Sequence, residues 1–117
     1  MNLDSAVFYT NDIDRAVEFY RDILDCTLEY QNGKQYASFI FLNNARVGIK
    51  SKTHEREVPG AQTVILAVDA GIEHLYQSLL QKHVVVYKEL SDQEWGKNFS
   101  ILDTDRNKVE FVQRPMN

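Results

Sequence analysis

The same order of predicted elements occurs twice along the sequence, and this repeat constrains the fold more than any other feature. In each half an apolar, strand-forming run leads into an amphipathic helix, and three further strands follow before the pattern restarts. The repeat predicts two modules of the order β-α-β-β-β, which comprise residues 1–57 and 58–117. Two such modules predict a single α+β domain with a curved mixed sheet, helices on its outer face and a cleft between the modules.

The first module contains the clearest helix. Its first strand-forming run ends at Thr10, and Asp12 supplies a capping side chain. From Ile13 to Leu24, apolar residues recur every three or four positions with charged residues between them, which predicts an amphipathic helix. The remaining elements are predicted as strands at residues 27–30, 36–42 and 46–50 and a polar connector at residues 51–60.

The second module repeats this pattern. Asp69 is predicted to cap a helix whose apolar stripe runs from Ile72 to Leu80. Residues 91–96 are polar and are predicted to form a loop, and Asp103 and Asn107 are predicted turn residues. The predicted strands are residues 63–68, 84–87, 99–102 and 109–112.

Charge and cysteine content limit the possible partners and compartment. The net charge of −4 and the pI near 5.3 argue against nucleic acid and anionic membranes. No apolar run approaches the roughly 18 residues that span a bilayer, and the N-terminus has no basic segment typical of a signal peptide. The single cysteine, Cys26, cannot form an internal disulfide, so it is predicted to be a buried apolar residue in a cytoplasmic protein.

One carboxylate, Glu110, lies in the middle of an otherwise apolar strand near the end of the chain. Burying a carboxylate is costly unless another group pairs with it. Glu110 is therefore predicted to be either a ligand-binding residue or an edge residue that faces water.

Two motifs identify a family resemblance that extends over nearly the whole chain. The first is the run of residues 11–20, Asn-Asp-Ile-Asp-Arg-Ala-Val-Glu-Phe-Tyr. The second is Trp95-Gly96, followed by Phe99 and by residues 103–111, Asp-Thr-Asp-Arg-Asn-Lys-Val-Glu-Phe. The chain resembles the vicinal oxygen chelate superfamily, which includes glyoxalase I, extradiol dioxygenases and bleomycin resistance proteins.

The resemblance implies four positions at which enzymes of that superfamily hold a divalent metal. In this sequence the positions are Ser5, Gly48, Thr63 and Glu110. Hydroxyl groups are poor ligands for Zn, Ni, Fe or Mn, and a glycine has no side chain, so Glu110 is the competent ligand among the four. We therefore expect no metal site and no metal cofactor.

The favoured hypothesis is metal-independent binding of a small organic molecule in the cleft between the modules, similar to the bleomycin resistance branch. The ligand is expected to be cationic or aromatic, and the protein to be a homodimer. Glu110 would supply charge, aromatic residues a stacking surface and hydroxyl groups hydrogen bonds. The predicted ligand-binding residues are Glu110, Trp95, Tyr9, Ser5, Thr63 and Gly48.

Two alternatives remain from the sequence. The chain could be a lyase, isomerase or dioxygenase of the glyoxalase type, with an atypical metal site or with acid–base chemistry at Glu110. It could also be an interaction module whose cleft is filled by its own side chains. Trp95 is equally well explained as a packing residue of its loop.

Overall fold

The computed structural model describes residues 1–115, which form two compact units that divide between Ala61 and Gln62. Each unit holds one four-stranded sheet and one helix-containing segment. The predicted α+β class and the repeated β-α-β-β-β order are therefore confirmed. This division lies four residues after the predicted boundary at residue 57, in the segment between the strands that end at Ser51 and begin at Thr63. Within the described residues, neither helix is long and apolar enough to cross a bilayer.

The first module, residues 1–61, has a mixed sheet. Its elements are β1 (Ala6–Thr10), α1 (Ile13–Glu18), β2 (Thr27–Asn32), β3 (Tyr36–Ile40) and β4 (Arg46–Ser51). The strand order is β1-β4-β3-β2, in which β1 runs parallel to β4 and the other pairs are antiparallel. The first strand thus lies beside the last strand of its own module.

The second module, from Gln62 onward, has the same topology. Its elements are β5 (Thr63–Ala67), α2 (Ile72–Gln81), β6 (Val85–Gln93), β7 (Gly96–Leu102) and β8 (Lys108–Gln113). The strand order is β5-β8-β7-β6, again with a parallel first and last strand. The repeat in the sequence is therefore a repeat of strand pairing as well.

The helix predicted from Ile13 onward forms, but its second half is wider than an α-helix. The Asp12 side chain accepts a hydrogen bond from the Arg15 backbone N–H at 3.2 Å, as predicted for a cap. A π-helical segment, Phe19–Ile23, follows α1 directly. There the Leu24 backbone N–H donates to the Phe19 carbonyl at 3.1 Å, a bond that spans five residues.

Two predictions for the second module are wrong. Asp69 does not cap α2, because the helix starts after Gly71 and the Ile72 backbone N–H donates to the Gln113 side chain at 3.0 Å. Residues 91–96 are not a loop, because β6 continues to Gln93 and β7 begins at Gly96. β6 is an edge strand, so its polar side chains can remain in water while its backbone pairs with β7.

Each sheet packs one face against its own helical segment. In the first module the Tyr20 ring lies 5.7 Å from the Phe39 ring. In the second module Phe99 lies 4.9 Å from both Tyr76 of α2 and Phe111. Strand alternation then places the intervening residues on the opposite side, which we call the helix-distal face. This face carries Val7, Tyr9, Tyr36, Ser38, Gly48 and Lys50 in the first module, and Thr63, Ile65, Lys108, Glu110, Asn98 and Ser100 in the second.

The predicted turn between β7 and β8 is held by the buried Asp103 carboxylate. One oxygen accepts from the backbone N–H groups of Asp105 at 2.9 Å and Asn107 at 2.8 Å. The other oxygen accepts from the Asn107 side-chain amide at 2.9 Å. These bonds fix the register of the two strands, and with it the position of Glu110.

The connector after β4 is closed by Glu57. Its carboxylate accepts hydrogen bonds from Lys50 Nζ at 2.7 Å and from the Thr53 backbone N–H at 2.8 Å. The Lys50 bond, followed by the Thr53 bond, lowers the pKa of Glu57 from 4.5 to about 2. A group with a lowered pKa stabilises the fold above its ordinary pKa and loses that contribution as the pH falls toward its folded value.

We predict that Glu57→Gln lowers Tm at pH 7 and that the difference from the unsubstituted protein shrinks as the pH falls from 4.5 to about 2. Thermal unfolding at a series of pH values measures this effect. Glu55→Gln, an exposed change in the same connector that removes the same charge, is the control. A difference that stays constant down to the lowest pH would contradict the assignment.

Candidate functional site

Three predicted site residues, Ser5, Tyr9 and Gly48, lie in the first module, and two of them meet at the Tyr36 ring. A Cβ at Gly48 would collide with the Tyr36 hydroxyl and lie 2.6 Å from its Cζ atom. The Ser5 hydroxyl interacts with the same phenol. The pKa of Tyr36 is raised, mainly because the phenol is partly buried, and Ser5 opposes this rise. The Tyr36 ring therefore packs directly against Gly48, and position 48 is not open to a ligand.

Tyr9 lies on the same helix-distal face, opposite Lys50 of β4. The Lys50 ammonium lies 5.6 Å from the centre of the Tyr9 ring. Because Lys50 also binds Glu57, the Tyr9 ring is covered by a cation that is already held in place.

A second cluster in the first module is fully paired. Arg46 Nε lies 3.0 Å from both carboxylate oxygens of Glu29, and the Ser38 hydroxyl donates to the same carboxylate at 2.8 Å. The hydrogen bonds with Ser38 and Arg46 lower the pKa of Glu29. We call Glu29, Ser38 and Arg46 the closed cluster, because its acid, base and hydroxyl satisfy one another.

Glu110 lies on the helix-distal face of the second module. It pairs in register with Ile65 of β5 and with Ser100 of β7. Its side chain is 15% exposed, and the nearest cation, Lys108 Nζ, is 3.8 Å from its carboxylate. That separation exceeds hydrogen-bond length, so the pair is an ion pair without a hydrogen bond.

Ser100, directly beside Glu110, is completely buried. Its hydroxyl has no hydrogen-bond partner within residues 1–115. A buried polar group that lacks a partner costs roughly 1–3 kcal/mol. Most such groups are paired, which makes this hydroxyl a feature that needs an explanation.

Tyr87 is the residue that sequence reasoning missed. The pairing of β6 with β7 shifts register between Val86 and Lys88, so Tyr87 occupies a bulge. Tyr87 is 63% exposed, and the centre of its ring lies 5.3 Å from Lys108 Nζ. Tyr87 therefore presents an exposed aromatic ring beside Lys108.

The two modules place related residues at the same points of their sheets. Ser38 and Ser100 occupy the same register position in the third strand of their modules. Arg46 and Lys108 each begin the fourth strand. Glu29 and Tyr87 each occupy the bulge of the second strand. The equivalent pairs are Ser38 with Ser100, Arg46 with Lys108, Glu29 with Tyr87, and Gly48 with Glu110. We call Tyr87, Ser100, Lys108 and Glu110 the open cluster. The correspondence of Glu29 with Tyr87 becomes visible only once the bulges of the two second strands are known.

Trp95 and Thr63 take different positions relative to Glu110. Thr63 pairs with Lys108, two residues before Glu110, and so lies on the same face as Glu110. Trp95 lies in the β6–β7 turn, and its neighbour Gly96 is about 13 Å along β7 from Ser100 at 3.3 Å per residue. The Trp95 ring instead contacts two cations, Lys88 at 6.0 Å and Arg114 at 5.8 Å. The structure brings Thr63, and not Trp95, close to Glu110 within this module.

Two further side chains with metal-binding or nucleophilic atoms, His54 and Cys26, lie outside the two clusters. The His54 ring nitrogen Nδ1 accepts from the Arg56 backbone N–H at 3.1 Å. Cys26 is half-buried rather than buried as predicted, and desolvation raises the pKa of its thiol to about 11, so the thiol is protonated at neutral pH. Residues 1–115 contain no group of three or more His, Cys, Asp or Glu side chains that could hold a metal ion.

The four family metal positions do not provide a metal-binding donor set. One carboxylate and two hydroxyls remain after Gly48 is discounted, and transition metals prefer imidazole, thiolate and carboxylate ligands. At position 48 the Tyr36 ring also fills the space that a ligand side chain would need. We therefore derive no chemistry through a metal at these residues.

The family is established by comparison with known proteins. The chain matches the model of the Glyoxalase/Bleomycin resistance protein/Dioxygenase superfamily over residues 2–111. It therefore belongs to this superfamily, as the motifs predicted. No curated protein matches the chain.

Solved structures share the fold over nearly their whole length. TnmS3, an antibiotic binding protein from Streptomyces sp. CB03234, is 17% identical, with 98% of this chain and 97% of that chain covered and a TM-score of 0.86. Virulence protein STM3117 from Salmonella typhimurium is 17% identical, with 98% of each chain covered and a TM-score of 0.82. A glyoxalase/dioxygenase from Nostoc punctiforme is 14% identical, with 98% and 92% covered and a TM-score of 0.80. At these identities the likeness shows the fold alone.

We predict that Gly48→Ala destabilises the protein by about 1–3 kcal/mol, because the new methyl group displaces the Tyr36 ring. In a Tyr36→Ala background the same change is expected to be neutral or stabilising, since alanine is favoured over glycine in a strand. Urea denaturation of the four proteins in this double-mutant cycle measures the coupling. An equal cost in both backgrounds would show that Tyr36 does not set the requirement for glycine.

Proposed function

We propose that this protein binds a small organic molecule, without a metal, on the helix-distal face of its second module. Glu110 would be the anchoring carboxylate and Ser100 a hydrogen-bonding partner of the ligand. The observation that carries the proposal is the buried Ser100 hydroxyl without a partner, next to a carboxylate that accepts no hydrogen bond within residues 1–115. A ligand that satisfies both groups would remove a cost that the free protein bears.

The closed cluster of the first module supports this proposal by contrast. There the same serine position is paired with Glu29, and Glu29 is paired with Arg46. In the open cluster the residue equivalent to Glu29 is Tyr87, which leaves the serine without its acceptor. In the first module the serine hydroxyl is thus hydrogen-bonded by the protein itself. In the second module the equivalent hydroxyl could bond a ligand instead.

The open cluster also favours certain ligand chemistry. Glu110 accepts hydrogen bonds and attracts positive charge, Ser100 can donate or accept, and Tyr87 offers an exposed ring for stacking. Thr63, which pairs with Lys108 two residues before Glu110, offers a further hydroxyl on the same face. A ligand with an amine or another donor group on an aromatic body fits this combination. Tyr9, Ser5 and Gly48 already contact other residues of the first module, so the proposal assigns them no direct role.

Several broader expectations belong to the same proposal. We expect no metal cofactor, a cytoplasmic location and a homodimer, and resistance to an antibiotic would be one physiological use of such binding. TnmS3, an antibiotic binding protein with the same fold, supports this proposal because it is an example of binding by this fold. Elemental analysis of protein purified without chelator tests the metal expectation, and light scattering tests the dimer.

We predict that a screen of aromatic amines, organic cations and glycopeptide-like compounds by thermal shift finds at least one that raises Tm. A ligand at 100 times its Kd stabilises the native state by about 2.7 kcal/mol, which is easily detected. Glu110→Gln is expected to abolish the shift, because it removes the charge and keeps the shape. Glu55→Gln, which removes an exposed charge from the first module, should leave the shift unchanged. Hits that persist in Glu110→Gln, or the absence of any hit, would refute the proposal.

We further predict that Ser100→Ala leaves the stability of the free protein unchanged or raises it by up to about 1 kcal/mol. The same change should lower the affinity for the ligands found in that screen. The reason is that alanine removes a buried hydroxyl that has no partner in the free protein. Urea denaturation and a ligand titration of the same variant measure the two effects. Ser38→Ala is the matched control, and it should destabilise the protein because that hydroxyl is hydrogen-bonded. A clear loss of stability in Ser100→Ala would indicate a structural role instead.

A further inference from the structure

Lys108 occupies the place within the open cluster that best suits an organic cation. Its ammonium lies 3.8 Å from the Glu110 carboxylate and 5.3 Å from the centre of the Tyr87 ring. An ammonium between a carboxylate and an aromatic face has both of the attractions that proteins use to hold organic cations. The side chain of Lys108 therefore fills the position that a ligand amine would take.

The ion pair between Lys108 and Glu110 is loose. The distance to Glu110 is longer than an N–H···O hydrogen bond, and the Lys108 side chain is 32% exposed to water. A partly hydrated ion pair of this kind contributes only about 0–1 kcal/mol. Moving the ammonium into water while its flexible stem stays on the sheet would therefore cost little.

The equivalent residue of the first module shows the opposite case. Arg46 holds Glu29 through Nε, at 3.0 Å from both oxygens. A planar guanidinium binds a carboxylate with a fixed geometry, whereas an ammonium is a compact, mobile charge. Arg46 therefore holds the carboxylate of its cluster firmly, whereas another cation can replace Lys108 beside Glu110.

We infer that Lys108 is a built-in competitor at Glu110, and that the molecule which displaces it carries an ammonium group on an aromatic body. This inference rests on the proposed function and adds the residue of the protein that limits the affinity of the ligand. Lys108 and the ligand cation share one carboxylate, so the ligand binds only when Lys108 turns away. Only a ligand with both a cation and an aromatic ring replaces the contacts that Lys108 makes with Glu110 and Tyr87, so Lys108 favours ligands of this kind.

The test is a titration of isotope-labelled protein with three matched probes, followed by NMR. The probes are phenethylammonium, the neutral 2-phenylethanol and the anionic 3-phenylpropionate. Lys108→Met removes the ammonium but keeps an apolar stem, and its backbone N–H still donates to the Gln62 carbonyl. We expect Lys108→Met to bind phenethylammonium on the order of fivefold more tightly, Lys108→Arg to bind it more weakly, and Glu110→Gln to lose it. The affinity for 2-phenylethanol should change little in Lys108→Met.

The outcomes separate the inference from the proposed function. If phenethylammonium binds in a Glu110-dependent way but Lys108→Met does not bind it more tightly, the competitor role is overturned and the binding function stands. If 3-phenylpropionate is the preferred probe and Lys108→Met loses it, Lys108 is itself the anchor and the inference is wrong. If no probe and no compound of the thermal-shift screen binds through Glu110 in a protein that remains folded, the proposed function fails as well.

Discussion

The parallel pairing of the first strand with the last strand in each module is the constraint on which the other features depend. It sets Val7 opposite Gly48 and Ile65 opposite Glu110, and the antiparallel strands then add Ser38 and Ser100 to the same rows. Because side chains alternate between faces, a shift by one residue would turn Glu110 toward α2 and Phe111 away from it. The stacked rings of Phe99 and Phe111 oppose that shift, since they bury large apolar surfaces beneath the helix. The core on one face thus fixes which polar residues meet on the other.

Much of this could be predicted from the sequence, and the limits have physical causes. Period-two alternation identified the strands and the face of Glu110, and the three-to-four spacing identified both helices. Tyr87 escaped prediction because a bulge changes the face of a residue without changing local composition. The role of Gly48 escaped it because a missing side chain does not reveal which neighbour, here Tyr36, uses the space. The start of α2 escaped it because its capping group comes from β8. All three depend on contacts between residues distant in sequence.

The two clusters illustrate how a duplicated fold can divide stability and binding between its halves. In the first module an acid, a base and a hydroxyl satisfy one another and stabilise the sheet. In the second module the same positions leave a buried hydroxyl without a partner in the described chain and hold the base loosely. Buried polar groups without a hydrogen-bond partner are expected where a protein binds another molecule. The strand framework is common to both halves, so the difference comes from a few side chains.

The capping of the two helices has a consequence for the order in which the modules can form. The start of α1 is satisfied by Asp12, three residues from its donor, whereas the start of α2 is satisfied by Gln113, 41 residues from its donor. During synthesis the first helix can acquire its cap as soon as residue 15 has emerged, but the second must wait until residue 113 has emerged. Local contacts form before distant ones because they close shorter loops. The strand that carries Glu110 is therefore also the segment whose arrival completes α2, which links the maturation of the helix to that of the open cluster.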